Sequence, residues 1–125
     1  MIFGTGLDII EIKRIKNSIE KYSPKFEHRV FTSNEISYCK SQSDPAKHYA
    51  ARFAVKEAVS KCLGTGITGT LGFQDMEITH GDTGKPVLKM IGKGKKLFQK
   101  LKLKSIHITI SHDSTYAIAH AIAEQ

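Results

Sequence analysis

The segment Pro45 to Leu63 constrains this chain most. Asp44-Pro45 offers an N-cap carboxylate and a proline suited to the first helical position. Gly64 and Gly66 offer a C-terminal stop. The pattern predicts one central helix, on the order of 28 Å long at about 1.5 Å per residue. At about 100° per residue, Ala54, Val55, Ala58, Val59, Cys62 and Leu63 gather on one half of its surface. Arg52, Phe53, Lys56, Glu57, Ser60 and Lys61 fill the other half. The apolar half is a core face. The polar half crowds three cations, one carboxylate and a phenylalanine together, and we take it as the candidate working surface.

The C-terminal region supplies a surface for that helix to lie on. Residues 105–111 alternate strictly, with Ile106, Ile108 and Ile110 against His107, Thr109 and Ser111. Residues 116–123 alternate again, with alanines at 117, 119, 121 and 123. An all-alanine face suits a strand packed closely under a helix; alanine also favours helix, which is the competing assignment.

The remaining segments complete the pattern. Residues 2–10 read as a strand in which Gly4 and Gly6 mark a close backbone approach or a bulge. Glu11 to about Tyr22 carries Ile12, Ile15, Ile19 and Tyr22 at helical spacing, and residues 25–31 read as a connector. Thr32-Ser33-Asn34-Glu35 has the form of a capping box opening a short helix to about Lys40. Residues 64–74 read as a loop, 75–79 and 86–91 as a hairpin, and 92–102 as a basic helix. The expected architecture is α+β: a single domain over residues 1–125, with an antiparallel sheet packed on the long central helix.

Charge and cysteine content narrow the setting. The chain has 19 Lys and Arg against 12 Asp and Glu, a formal net charge of +7. The excess gathers in 13–25 and 93–104 and points to an acidic or phosphorylated partner. No apolar run approaches the roughly 20 residues that span a bilayer. The N-terminal residues lack the charged region and cleavage pattern of a signal peptide, so the expected location is cytoplasmic. Cys39 and Cys62 then read as reduced, buried thiols.

Familiar catalytic patterns are absent or misplaced. Gly64-Thr65-Gly66-Ile67-Thr68-Gly69 matches G-x-G-x-x-G, but it follows a helix where the dinucleotide fingerprint follows a strand. Ser111-His112-Asp113 holds the residue types of a triad, but adjacent residues cannot converge as a triad does. Two carboxylates remain. Asp8 lies in an apolar strand, where an unpaired charge costs several kcal/mol; it either caps the next helix or meets a cation, a metal or donors. Glu57 stands among Arg52, Lys56 and Lys61; it either forms a solvated pair with Lys61 or shares a metal with Asp8. Two carboxylates from separate elements suit magnesium held beside substrate phosphates, with the lysines and arginine neutralising those phosphates.

The order of these motifs resembles a family. Gly6-Leu7-Asp8, then Arg52-Phe53-Ala54-Val55-Lys56-Glu57-Ala58 with Lys61 and Leu63-Gly64-Thr65-Gly66, then Gly84-Lys85-Pro86, then Ile110-Ser111-His112-Asp113 with Tyr116-Ala117 are similar to the holo-[acyl-carrier-protein] synthases, the small bacterial 4′-phosphopantetheinyl transferases. The resemblance runs along essentially the whole chain. One departure is Phe73-Gln74-Asp75, where the family often has a tryptophan in a W-x-D pattern.

The resemblance implies the 4′-phosphopantetheinyl transferase fold and transfer of phosphopantetheine from coenzyme A to a serine of apo-acyl carrier protein, in fatty acid biosynthesis. It implies Mg²⁺ bound by Asp8 and Glu57, and Lys61 contacting phosphate or the leaving group. It places Arg52, Gly64, Pro86 and His112 near coenzyme A and turns the first helix, through Arg14, toward the acidic carrier. It implies a homotrimer with active sites between subunits. Glu57 and a metal-bound water both stay open as proton acceptor for the serine. A rival reading, in which the basic stretches bind nucleic acid, lacks the interleaved exposed aromatics and recognition motifs such a module uses; neither nucleic acid nor membrane is expected as a partner.

Overall fold

The computed structural model describes residues 1–125. The elements run β1 (Ile2–Glu11), α1 (Ile12–Tyr22), α2 (Lys25–Val30), α3 (Ser33–Lys40) and α4 (Pro45–Cys62). A single 3₁₀ turn (Phe73–Asp75) leads into β2 (Met76–His80) and β3 (Pro86–Met90), followed by α5 (Gly92–Lys100), β4 (Ser105–His112) and β5 (Tyr116–Glu124). All pairings are antiparallel. The α+β class and the helix-on-sheet arrangement are as expected. The strands form two sheets: a three-stranded sheet ordered β1-β5-β4 and the separate hairpin β2-β3.

Helix α4 lies on the three-stranded sheet because both surfaces are stripped of bulk. The alanines at 117, 119, 121 and 123 are buried at the contact, and β5 is a strand. A Cβ at Gly4 or Gly6 would strike the carbonyl oxygens of Cys62 or Ala58, so those positions permit the close approach. The register of β1 against β5 shifts between Ile2 and Gly4, a bulge at the strand's start. Val55 and Val59 are fully buried between the layers, each worth roughly 1.5–3 kcal/mol of hydrophobic transfer. Cys39 and Cys62 are free and buried, and burial pushes the Cys39 thiol up to about 11.

Two local assignments change. Residues expected as a connector form α2, whose Glu27 and Val30 are buried. Asp75 closes the 3₁₀ turn instead of opening a strand: its carboxylate accepts the Gly72 and Lys93 backbone N–H groups, which pull it out of extended pairing. The capping box at Thr32 and Glu35 forms with both reciprocal bonds. Asp44 occupies the N-cap position of α4 but makes no side-chain capping bond.

The polar half of α4 departs most from its sequence reading. Arg52, Lys56 and Ser60 are buried; α3 and the hairpin side cover Arg52 and Lys56, and the segment after the helix folds back onto Ser60. Lys56 does not face a phosphate. Its ammonium donates to Glu35 Oε1 at 2.7 Å and to the Val30 carbonyl at 2.8 Å, with both charged side chains fully buried. Glu35 Oε2 accepts the Ile78 N–H at 2.8 Å, so this pair ties α3, α4 and β2 together.

Candidate active site

Residues on β1 and α4 meet at an exposed edge of the helix-sheet contact. In β1, Gly4 and Gly6 face the helix, and alternation puts Asp8 on that same side. Lys61 reaches across and donates to Asp8 Oδ1 at 2.9 Å and to the Leu7 carbonyl at 3.1 Å. The Asp8 side chain is 14% exposed and that of Lys61 52% exposed. Asp8 does not cap α1: the N-cap is Glu11, which makes no side-chain bond. Lys61 pairs with Asp8, not with Glu57.

Glu57 completes this group. It is half-buried one helical turn before Lys61. Burial, and then the nearby Asp8 carboxylate, hold the Glu57 carboxyl above its usual range, against the pull of Lys61. Two carboxylates that repel each other, with one lysine paired to Asp8 and no third acidic or imidazole neighbour, make a hard-oxygen donor set. Such a set fits a hydrated Mg²⁺ that takes its other oxygens from phosphate. A closed transition-metal site needs more protein ligands.

A second group forms around Arg52. Its guanidinium lies 2.9 Å from His80 Nε2, donates to the His48 carbonyl, and stacks over the Tyr38 ring at 4.4 Å. Tyr38 also packs against His48 and His80. Burial, Arg52 and the nearby His112 together lower the affinity of His48 for a proton. Pro86 pairs with His80 across the hairpin, and Gly84 accepts a contact from His80 Nδ1 at 3.0 Å. The buried Arg52 Nε has no partner within the chain. Arg52, Pro86 and His112 therefore lie in one neighbourhood, apart from Asp8, Glu57 and Lys61. About 140° of helix rotation separates Arg52 from Glu57.

Sequence reasoning gave His48 no role and left His80 in a turn. His48 lies one helical turn before Arg52, a link the sequence does carry; the His80 contact arises only when the hairpin folds onto α3 and α4.

The other candidate residues take distinct places. Gly64 ends α4 at φ 79°, exposed, while the Thr65 and Gly66 N–H groups fold back onto the Ser60 carbonyl. Arg14 is exposed on α1 at a cavity of about 270 Å³ shared with Ile10, Ile15, Phe26 and Phe53. Phe53 is half-buried, its ring 5.5 Å from that of Phe73 in the segment after the helix. An aromatic at 73 thus covers the phenylalanine of the polar face. Asp113 is used locally: it accepts the Thr115 and Tyr116 N–H groups, which hold its carboxyl below the usual range and close the β4–β5 turn.

A family model, the 4′-phosphopantetheinyl transferase superfamily, matches residues 4–121. The chain belongs to that superfamily. Its curated relatives narrow the class to the holo-[acyl-carrier-protein] synthases, as the motif order implied. The holo-[acyl-carrier-protein] synthase of Ruminiclostridium cellulolyticum is 46% identical over 123 residues, covering 98% of this chain and 90% of that protein. The crystal structure of the enzyme from Neisseria meningitidis superposes with a TM-score of 0.94 at 31% identity, covering both chains completely. That of the Helicobacter pylori enzyme in complex with coenzyme A superposes with a TM-score of 0.86 at 32% identity, covering 96% of this chain and 99% of that one.

Proposed function

We propose that this chain transfers the 4′-phosphopantetheine group of coenzyme A to a serine of apo-acyl carrier protein, giving holo-acyl carrier protein and adenosine 3′,5′-bisphosphate. The observation that carries the reading is the meeting of Asp8, Glu57 and Lys61 at one exposed edge, on a chain of this superfamily. The serine hydroxyl attacks the β-phosphorus; its O–H bond breaks, and the phosphoanhydride P–O bond breaks with the electron pair leaving on a phosphate oxygen. Asp8 and Glu57 would hold Mg²⁺, which supplies charge neutralisation to the pyrophosphate when bound. Lys61, already poised over Asp8, turns its ammonium onto the transferring or departing phosphate. Glu57, with its raised proton affinity, or a water beside it accepts the serine proton.

Arg52, Pro86, His112 and the Gly64 turn serve coenzyme A in this reading. Arg52, buried against Tyr38 and His80, keeps one N–H, at Nε, without a partner in the chain and so able to meet phosphate. Because Arg52 and Glu57 lie on different sides of α4, one coenzyme A touches both groups most simply where two chains adjoin. The outer face of the three-stranded sheet supports such an assembly: Leu7, Ile9, Tyr116 and Ile118 are large and exposed there. We therefore propose a homotrimer with active sites between subunits, which light scattering tests; a monomer at assay concentration would sink it. Arg14 and the apolar cavity beside it face the carrier, whose acidic surface the +7 net charge would steer. No helix is long and apolar enough to cross a membrane. In this reading the enzyme works in the cytoplasm and supplies holo-carrier for fatty acid biosynthesis.

The test is incubation with coenzyme A, Mg²⁺ and apo-acyl carrier protein, read by mass spectrometry. One phosphopantetheine adds per carrier, and Asp8→Ala and Glu57→Ala each abolish the addition. No addition across several carriers would overturn the proposal.

A further inference from the structure

A further cavity lies away from Asp8, Glu57 and Lys61 and farther along β3 from Pro86. It is a groove of about 700 Å³ between β3, α5 and the start of β4, within the roughly 300–1,000 Å³ of small-molecule sites. It exists because β3 ends the hairpin and β4 ends the three-stranded sheet, and the two edges do not pair. Its apolar lining comes from Leu88, Met90, Phe98 and Ile106, each left half-exposed by that gap. The exposed Lys89, Lys95 and Lys104 border the same groove, and no carboxylate lines it. None of these three lysines forms an ion pair within the chain.

An apolar floor with unpaired ammonium groups along it matches a molecule with one hydrocarbon chain and one anionic head. A polyanion such as nucleic acid would find few partners on the floor, and a neutral apolar segment would leave the lysines unused. We propose that this groove binds a long-chain fatty acid as its carboxylate, the chain lying on Phe98 and Ile106 and the head meeting the lysines.

Calorimetric titration of the full chain with decanoate, dodecanoate and tetradecanoate, each below its micelle concentration, tests this. Saturable binding of one fatty acid per chain is expected, tightening about fourfold per added methylene. Dodecanol should bind at least about tenfold more weakly than dodecanoate. The exposed pair Lys95→Glu with Lys104→Glu should keep the wild-type melting temperature yet weaken dodecanoate by a similar factor, and Phe98→Ala should weaken it as well. No saturation, affinity independent of chain length, or dodecanoate binding untouched by the lysine reversals would each overturn the assignment. Dodecyl phosphate binding tenfold tighter than dodecanoate would overturn the choice of head group.

Discussion

Lys56 and Lys61 lie on the same helix, and each meets a carboxylate from elsewhere in the chain. Lys56 meets Glu35 at 2.7 Å with both side chains fully buried; Lys61 meets Asp8 at 2.9 Å with the lysine half in water. The distances are nearly equal, so geometry alone does not separate the pairs. Surroundings do. Glu35 is satisfied by Lys56 and by the Thr32 and Ile78 N–H groups, and nothing else can reach it. Asp8 has the Lys61 ammonium on one side and the repelling Glu57 nearby, at an edge open to solvent. The first pair is a joint between elements. The second is a solvent-accessible set of charges, the one that the proposed transfer reaction would use.

The comparison breaks most readily at the buried pair. Lys56→Ala leaves the Glu35 charge without its cation and should cost about 3–5 kcal/mol of stability in urea unfolding. Pairing Lys56→Met with Glu35→Gln should recover only part of that loss, since the amide oxygen can accept one of the Thr32 and Ile78 N–H groups while its NH2 faces the other. A loss below about 1 kcal/mol for Lys56→Ala would show that the pair is not the joint described. At the exposed pair, Lys61→Ala should change stability by no more than about 1 kcal/mol while slowing transfer on the order of 10²–10³-fold. Equal damage to fold and rate would erase the contrast.

Arg14 extends the comparison to a third charged side chain, exposed and beside an apolar cavity. Arg14→Glu should raise KM for the carrier about tenfold, more at low salt, with KM for coenzyme A unchanged. Equal effects on both substrates would place Arg14 elsewhere.

The smallest expected effect concerns Glu57 and pH. Its carboxyl binds a proton more tightly in the folded chain than in the unfolded one, chiefly through burial and then through Asp8. Stability from this group is therefore present below the ordinary carboxylate range and is lost as pH rises through the raised range. Glu57→Gln should be more stable than wild type at neutral pH, with the difference shrinking on acidification, as urea titrations at several pH values would read. Added Mg²⁺ should raise the melting temperature of wild type and leave Glu57→Gln unmoved.

Much of this was legible in the chain itself, for reasons that differ between elements. Helix α4 was readable because its Pro45 start, glycine stop and apolar half are all local signals. Strand β5 was readable from period-two alternation, although alanine argues for helix; the sheet partners on both sides decided it. Asp8 stood out because a carboxylate in an apolar strand needs a partner. The order of motifs pointed to the superfamily. His48 was linked to Arg52 by helical spacing; His80 was not readable, because its only distinction is contact with Arg52, made when the hairpin folds onto the helix.

The polar half of α4 marks where the two sources of information divide. The sequence by itself determined that Arg52, Lys56, Glu57 and Lys61 share a helix, and that Gly4, Gly6 and the alanines of β5 let that helix settle closely on the sheet. A helical wheel records angle but not what covers it, so it could not say which cations were free. Only the tertiary structure decided that: α3 and the hairpin side enclosed Lys56 and Arg52, while the edge beside β1 stayed open. Desolvation is the physical reason. The same ammonium is a structural joint where water is excluded and an accessible charge where it is not.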